Sequence, residues 1–406
     1  MTKWHYNQTQ TLLILTPLVA LFALGLDVYI PIVPDLATAF NQPHSLMQLT
    51  LSGYMLTCAL GQILAGPLCD QIGRRKVAIY SLSIFIIGCI IGIYTHNLLT
   101  LILARILQSI GASGTFLCAY ATVRDLYPKP EDSAAIYSYI NVCISQSPIF
   151  APSLGAYIAL NYDWHAVFAL LLIIGALTLI LTTLSYQDTT PEYVEPNLRR
   201  ILASYNTVVT HPGFLAYTAS AACGMATFFM FFSQSPYIIM NILGYSKNQF
   251  GIFFGLVGFS FFLASLFTPK ACKKLGVHAC VELGCSAMNV GAVSLIIGYQ
   301  LYGTTIIGFI GPIAIAIIGA ALTIGAGMAG TMEPFGKIAG TAFSAVGFCK
   351  FFLSASLGLL LMQFDTTPQI LGLIILITAT LSQAVCFYYR DTLCQYRLTY
   401  TPTEYE

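Results

Sequence analysis

The sequence predicts an all-α membrane protein, twelve transmembrane helices in two pseudo-symmetric six-helix bundles, on three observations. Of 406 residues, 57% are hydrophobic and 8% charged, against about a quarter charged in soluble domains. A mean hydropathy of +0.78 is spread over the whole length instead of being gathered in one block. Lysine and arginine recur at alternate gaps between apolar runs. Twelve spans of ~20 to 25 residues use ~240 to 300 residues, which excludes a soluble catalytic domain. The net charge of +1, from 17 basic and 16 acidic residues, provides no bulk field to recruit nucleic acid.

Apolar runs at about 12–39, 46–68, 77–95, 98–122, 133–160 and 164–186 are the first six predicted spans. The other six lie at about 213–243, 248–268, 277–301, 304–331, 338–363 and 367–389, each long enough to cross with some tilt. The first run outlasts the ~7 to 15 residue apolar core of a signal peptide and continues through Pro31 and Pro34, so it reads as a retained helix.

Lys3, then Arg74, Arg75 and Lys76, then Arg124 and Lys129, then Arg199 and Arg200 fall on one face of this map. So do Lys270, Lys273 and Lys274, then Lys337, then Arg390 and Arg397, making 14 of the 17 basic residues. The positive-inside rule makes that face, with both termini, cytoplasmic. The exceptions are Lys247 in a loop on the other face, and Arg105 and Lys350 inside spans.

The polar stretch 187–211 reads as a cytoplasmic linker between an N-terminal bundle, 1–186, and a C-terminal bundle, 212–390, with a cytoplasmic tail at 391–406. A weak parallel repeat supports two halves facing across an axis along the membrane normal. IGRRK at 72–76 precedes LGVH at 275–278 by about 203 residues, and Pro31 and Pro236 are similarly spaced. Twelve cysteines, mostly within or at the ends of apolar runs, read as reduced structural thiols. No HExxH, Walker A, GxSxG or Cys/His ligand cluster occurs, so hydrolysis, nucleotide binding and a metal site have no support.

After the second span stands Gly66-Pro-Leu-Cys-Asp70-Gln-Ile-Gly73-Arg74-Arg75-Lys76, which resembles the signature loop of the major facilitator superfamily. The fourth span carries Arg105-Ile-Leu-Gln108-Ser-Ile-Gly111 and continues to Val123-Arg124-Asp125-Leu126-Tyr127, similar to that superfamily's second motif. In the fifth, Ser147, Ala151, Pro152, Gly155 and Ala156 resemble the antiporter motif of drug:proton exporters. Leu26-Asp27-Val-Tyr29-Ile-Pro31-Ile-Val-Pro34, Ser235-Pro236-Tyr237 followed by Gln249-Phe250-Gly251, and Ala339-Gly340-Thr341-Ala342 resemble the bicyclomycin/chloramphenicol (Bcr/CflA) drug-resistance branch. Three departures stand out: His165 after Trp164 where that branch usually has Arg, Ala156 in place of a second Gly, and Lys350 in place of a neutral polar residue.

The resemblance implies a monomeric proton-coupled exporter in the bacterial inner membrane. Its partners would be a small molecule, protons and the lipid bilayer, without nucleic acid. The proton gradient would supply the energy, with no cofactor.

Asp27 lies about 15 residues into the first span, ~22 Å along its axis. A carboxylate there is costly to keep ionised, which suits a group exchanging protons with either side of the membrane; the plainer alternative is a hydrogen-bond partner holding helices together. Asp35 is eight residues on, ~12 Å of rise and about 80° of turn in a regular helix. Pro31 and Pro34 are positioned to kink that helix, and Asp35 falls near the outer mouth, where solvation alone would explain it. Arg105 falls between Asp27 and Asp35 in depth if the helices run antiparallel. The family motif links its position to proton transfer, and the alternative is an anchor to backbone carbonyls.

Lys350 stands about twelve residues into the eleventh span, ~18 Å deep and near the level of Asp27. It is expected to face the same cavity, pairing with Asp27 or meeting an anionic group on the substrate; the rival reading is a neutral or snorkelling lysine. Glu282 reads as interfacial. Phe228, Phe229, Phe231, Phe232 and Tyr237 give the seventh span an aromatic wall suited to planar compounds, although aromatics facing lipid look the same. Phe228, Phe232, Tyr237 and Tyr29 are assigned with Lys350 to the cavity.

The loop residues Gly66, Asp70, Gly73, Arg74 and Arg75 form a gate motif. Asp70 is expected to accept from the positive end of a neighbouring helix and from Arg74 or Arg75, latching the halves together. Ser147, Ala151 and Gly155 make a small-residue stripe for close helix approach, with Pro148 and Pro152 bending the helix. The antiporter motif favours export over import. A non-transporting receptor is opposed by Asp27 and Arg105, and a membrane enzyme by the lack of a catalytic constellation.

Overall fold

The structure is a computed structural model and describes residues 4–127, 130–190, 198–332, 334–335 and 339–389. Lys3, Lys129, Lys337, Arg390, Arg397, linker residues 191–197 and the tail 391–406 lie outside the described residues. In chain order the helices are α1 (Gln8–Asp27), α2 (Val33–Ala39), α3 (His44–Ile72), α4 (Arg74–Ile93), α5 (Leu98–Leu126), α6 (Pro130–Ser145), α7 (Ser147–Tyr162) and α8 (His165–Ser185). There follow α9 (Leu198–Val209), α10 (Pro212–Pro236), α11 (Lys247–Leu275), α12 (Val277–Tyr302), α13 (Ile306–Met332), α14 (Ala339–Leu361) and α15 (Pro368–Tyr388).

With α1 continued through α2, and α10 through the turn after it, 11 helices among the described residues are long and apolar enough to cross a membrane. The fifth predicted span is instead two helices of 16 residues each, α6 and α7. Pro148 explains the break at Gln146: it lacks the N–H that would bond the Ile144 carbonyl of the preceding turn, but it is tolerated in the first turn of a new helix. The linker expected at 187–211 contains α9.

Three other prolines interrupt long helices. Pro31 removes the amide that would bond the Asp27 carbonyl, and Pro34 the one for Ile30. The chain answers with a 3-10 turn over Ile30–Ile32, in which the Ile32 amide donates to the Tyr29 carbonyl at 3.2 Å. After Pro236 the winding widens over Tyr237–Ile242, with the Leu243 amide reaching back five residues to the Ile238 carbonyl at 3.0 Å. Gly73 and Gly276, 203 positions apart, have nearly equal left-handed angles, φ 97 with ψ 148 and φ 89 with ψ 156. Each turns one helix directly into the next, a conformation costly for any residue with a Cβ.

The polarity is inside out relative to a soluble protein. Leu13, Leu64, Leu99, Leu177, Leu184, Ile307 and Leu381 are exposed, whereas Gln48, Gln62, Arg105, Gln108 and Gln234 are buried. Apolar solvent outside and hydrogen-bonding side chains inside is the arrangement a bilayer demands. Each of the 11 described cysteines is free.

The helices before residue 187 pack on those after 211 along two main seams, α3 against α14 and α6–α7 against α11. Along the first, Gly66 meets Ser344, Gln62 meets Gly347 and Ser52 meets Gly358, so the helices run antiparallel. Along the second, Gly251, Gly255 and Gly258 lie against Ser153, Ile149 and Pro148 in turn. Small residues let these backbones approach where water supplies no hydrophobic drive.

Candidate functional site

Asp27 closes α1 at the break made by Pro31 and is 2% exposed. Its Oδ2 accepts from Ser147 Oγ at 2.6 Å, and Ser147 opens α7 at the break made by Pro148. Two proline-imposed interruptions therefore face one another, with the carboxyl at the positive end of α7. Ala151, Pro152 and Gly155 are buried further along α7. A side-chain carbon at Gly155 would overlap the Val28 carbonyl oxygen, so the Ser147, Ala151 and Gly155 face is fitted to the interrupted stretch of α1.

Arg105 of α5 is 1% exposed and lies between two rings, its Cζ 4.0 Å from the Tyr29 centroid and 4.4 Å from that of Tyr54. Its Nη1 donates to the Gly25 carbonyl at 2.7 Å and to Gln108 Oε1 at 2.8 Å. No salt bridge holds it among the described residues; desolvated cation–π contacts and the Gly25 carbonyl take that place. The Tyr29 hydroxyl donates to Thr50 Oγ1 at 2.8 Å, and the Tyr54 hydroxyl to the Phe22 carbonyl at 3.3 Å. The guanidinium thus meets the first span at Gly25 and Tyr29, on either side of Asp27, and not above it towards Asp35 as expected. It touches the backbone and ring beside the acid instead of the carboxylate. Tyr29, assigned to the cavity, is fully buried and spent on Arg105, Thr50 and Phe168.

The expected pairing of Lys350 with Asp27 is not formed: Asp27 bonds Ser147, and Lys350 lies beside Cys58 with its Nζ 5.8 Å from the Phe351 ring. Tertiary packing turns the two charges toward different neighbours. The expected aromatic wall divides in the same way. Phe228, Phe231 and Phe232 are buried among Phe254, Phe261 and Phe309, with Phe228 stacked on Phe261 at 4.4 Å. Tyr237 stacks on His44 of α3 at 4.5 Å, where Gln234 Nε2 also reaches Gln48 Oε1 at 3.5 Å.

Besides Tyr237 on His44, the aromatics that link the two helix sets are others. Phe22 contacts both Phe116 and Phe351, and Phe343 stacks on Phe116 and Tyr120. Nothing in their spacing distinguished them from packing residues. The Gly251, Gly255, Gly258 spacing did carry a signal for the second seam, as a small-xxx-small pattern.

The gate-motif charges are satisfied within the first set of helices. Arg74, 2% exposed, bridges Asp70 at 2.7 Å and Asp125 at 3.0 Å, and Arg75 donates to the Thr183 carbonyl at 2.7 Å. The expected ionic latch across the halves is therefore absent among the described residues; the near contact there is Gly66 on Ser344. Gly73 lies against Asp188 of the linker, which leaves no room for a side chain.

At the opposite end Asp35, expected to be merely solvated, pairs with Lys247 at 2.5 Å across the two sets, both partly buried. They line an open cleft of about 300 Å³ with Pro34, Thr38, Asn241 and Tyr245. His165, one of the family departures, bonds Asp163 at 2.8 Å. Slight burial works to raise the Asp163 carboxyl, but bonds from His165 and the Trp164 amide outweigh it and hold the group below the usual carboxylate range. Glu282, read as interfacial, is partly exposed and lies 3.2 Å from His278.

The sequence profile described as Major Facilitator Superfamily matches residues 15–387. A chloramphenicol resistance protein of Pseudomonas aeruginosa is 31% identical over 351 residues, 86% of this chain and 82% of that protein. Multidrug resistance protein D of Escherichia coli (strain K12) is 29% identical over 339 residues, 83% of this chain and 84% of that protein. Among solved structures, a peptide transporter in complex with sulfate superposes with TM-score 0.76 at 13% identity, covering 95% of each chain. A D-xylose-proton symporter superposes with TM-score 0.71 at 16% identity, covering 93% of this chain and 97% of that one; at such identities the likeness is of fold alone. This chain is a multi-pass membrane transporter of small molecules and not an enzyme: it belongs to the major facilitator superfamily, and within it resembles the bicyclomycin/chloramphenicol resistance type.

Proposed function

We propose that the chain exports drugs or small metabolites across the bacterial inner membrane in exchange for protons, by alternating access between two six-helix bundles, 1–186 and 212–390. In this reading α6 and α7 together make the twelfth crossing, both termini and the 187–211 linker are cytoplasmic, the unit is a monomer, and the proton gradient takes the place of any cofactor.

The observation that carries the reading is Asp27, buried at the junction of two helix breaks and held by a single side-chain hydrogen bond from Ser147. A carboxyl at a break moves with the helix ends around it, so its access and its hydrogen bond change when α7 shifts against α1. Arg105, held on the Gly25 carbonyl, keeps a fixed positive charge beside the same break. A proton taken from the outer side neutralises Asp27 and permits the return stroke. Its loss to the cytoplasm resets the site.

Everted membrane vesicles energised by respiration test this with labelled chloramphenicol. The native chain is expected to accumulate the drug, an uncoupler to abolish accumulation, and Asp27→Asn to lose it at equal membrane abundance. Accumulation that survives the uncoupler, or an unimpaired Asp27→Asn, would refute proton coupling through this residue. Gradient-driven loss from these vesicles would reverse the assigned direction.

A further inference from the structure

We propose that Lys350 and Gln62 form a subsite for a carboxylate on the transported compound, so that this carrier prefers organic acids to their neutral counterparts. The inference rests on the reading that the chain carries organic small molecules. It deepens that reading by naming the chemical group recognised and the residues that recognise it.

Lys350 is on the face of α14 turned to α3. Gly347, three residues earlier, lies against the Gln62 side chain, and Lys350 itself stands beside Cys58, one turn from Gln62 on α3. Among the described residues no carboxylate comes within salt-bridge distance of Lys350, and the available acid, Asp27, is engaged by Ser147. An ammonium at mid-span without a counter-ion is costly and calls for an anionic partner.

Gln62 supplies the independent observation. Its side chain is fully buried, and neither Nε2 nor Oε1 bonds a nitrogen or oxygen; its neighbour is the Cys58 thiol, a weak partner one turn away. Buried amides are almost always paired, and one left open beside an uncompensated ammonium retains bonding capacity that a ligand can take up. The two groups are complementary to the two oxygens of a carboxylate, one taken by the Lys350 ammonium and the other by the Gln62 amide N–H. Phe351 adjoins Lys350, and its ring lies 5.1 Å from that of Phe22. An apolar surface therefore flanks the charge and suits the flat remainder of an aromatic acid.

The test uses the full-length chain in lipid nanodiscs and two matched pairs of probes, nalidixic acid with its methyl ester and ciprofloxacin with its methyl ester, titrated calorimetrically. The native chain is expected to bind at least one acid tenfold or more tighter than its ester. Lys350→Gln should reduce that ratio at least fivefold, and Lys350→Arg should keep most of it. Gln62→Leu, which retains the lysine, should also reduce the ratio and gives the same reading should Lys350→Gln fail to fold. Acids and esters binding alike to the native chain in both pairs, or an unchanged ratio in folded Lys350→Gln, would overturn the subsite. Acid-selective binding without chloramphenicol accumulation in vesicles counts against export and leaves the subsite standing. Accumulation without acid preference does the reverse.

Discussion

Gly258→Ala isolates the seam between α7 and α11. A Cβ at Gly258 would lie 2.8 Å from both the carbonyl carbon and the carbonyl oxygen of Pro148, and 3.1 Å from the Ile149 amide nitrogen. All three are backbone atoms and cannot rotate away. Carbon atoms pack comfortably at about 3.5 to 4.0 Å, so the new methyl requires the helices to part by about 0.7 to 1.2 Å. Overpacking of this kind costs about 1 to 3 kcal/mol, while the helix propensity gained on replacing glycine is common to the open and closed seam and cancels. A penalty of about 1 to 3 kcal/mol therefore falls only on the arrangement in which the seam is closed, shifting its equilibrium by roughly 5- to 150-fold. Hydrogen exchange read by mass spectrometry over 147–162 and 247–275 should speed up by that factor. The control is Gly311→Ala, where the added carbon meets nothing within 4 Å, and exchange there should stay at the native rate. Native exchange rates across the seam in Gly258→Ala would show that the backbone contact does not hold this end closed.

Two further outcomes follow from the charges. Asp125 is 6% exposed and Asp70 48%, although both hold the buried Arg74. Asp125→Asn should therefore destabilise the protein in detergent more than Asp70→Asn, by about 1 to 3 kcal/mol for the loss of a buried carboxylate partner, read as a larger drop in melting temperature; equal losses would remove Asp125 from its role as the main anchor. Arg105→Lys keeps the charge but lacks a planar group to lie between Tyr29 and Tyr54 while donating to Gly25 and Gln108. Its chloramphenicol accumulation in energised everted vesicles is expected to fall at least tenfold. An Arg105→Lys variant with native accumulation would show that only the charge matters.

Helix content and the positions of unusual polar residues were legible in the sequence because a bilayer leaves few ways to satisfy a backbone. Apolar runs located the 11 helices among the described residues that are long and apolar enough to cross a membrane, and Pro31 marked the interruption after Asp27. Its failure at the fifth span has a local cause, since hydropathy is blind to the amide that Pro148 lacks. The IGRRK and LGVH offset was legible too, and the structure gives it a physical form in the matching left-handed angles of Gly73 and Gly276.

Partner choice was decided only by the tertiary structure. Asp27 and Lys350 lie at similar depth along their predicted spans, but depth fixes a residue's height and not the direction it faces. Axial rotation and crossing, set by glycine contacts such as Gly258 on Pro148 and Gly347 on Gln62, turn Asp27 to Ser147 and Lys350 to α3. Asp35 finds Lys247 212 positions away for the same reason. A sequence determines which side chains a membrane cannot leave unpaired; the packing of small residues between helices determines what each of them meets.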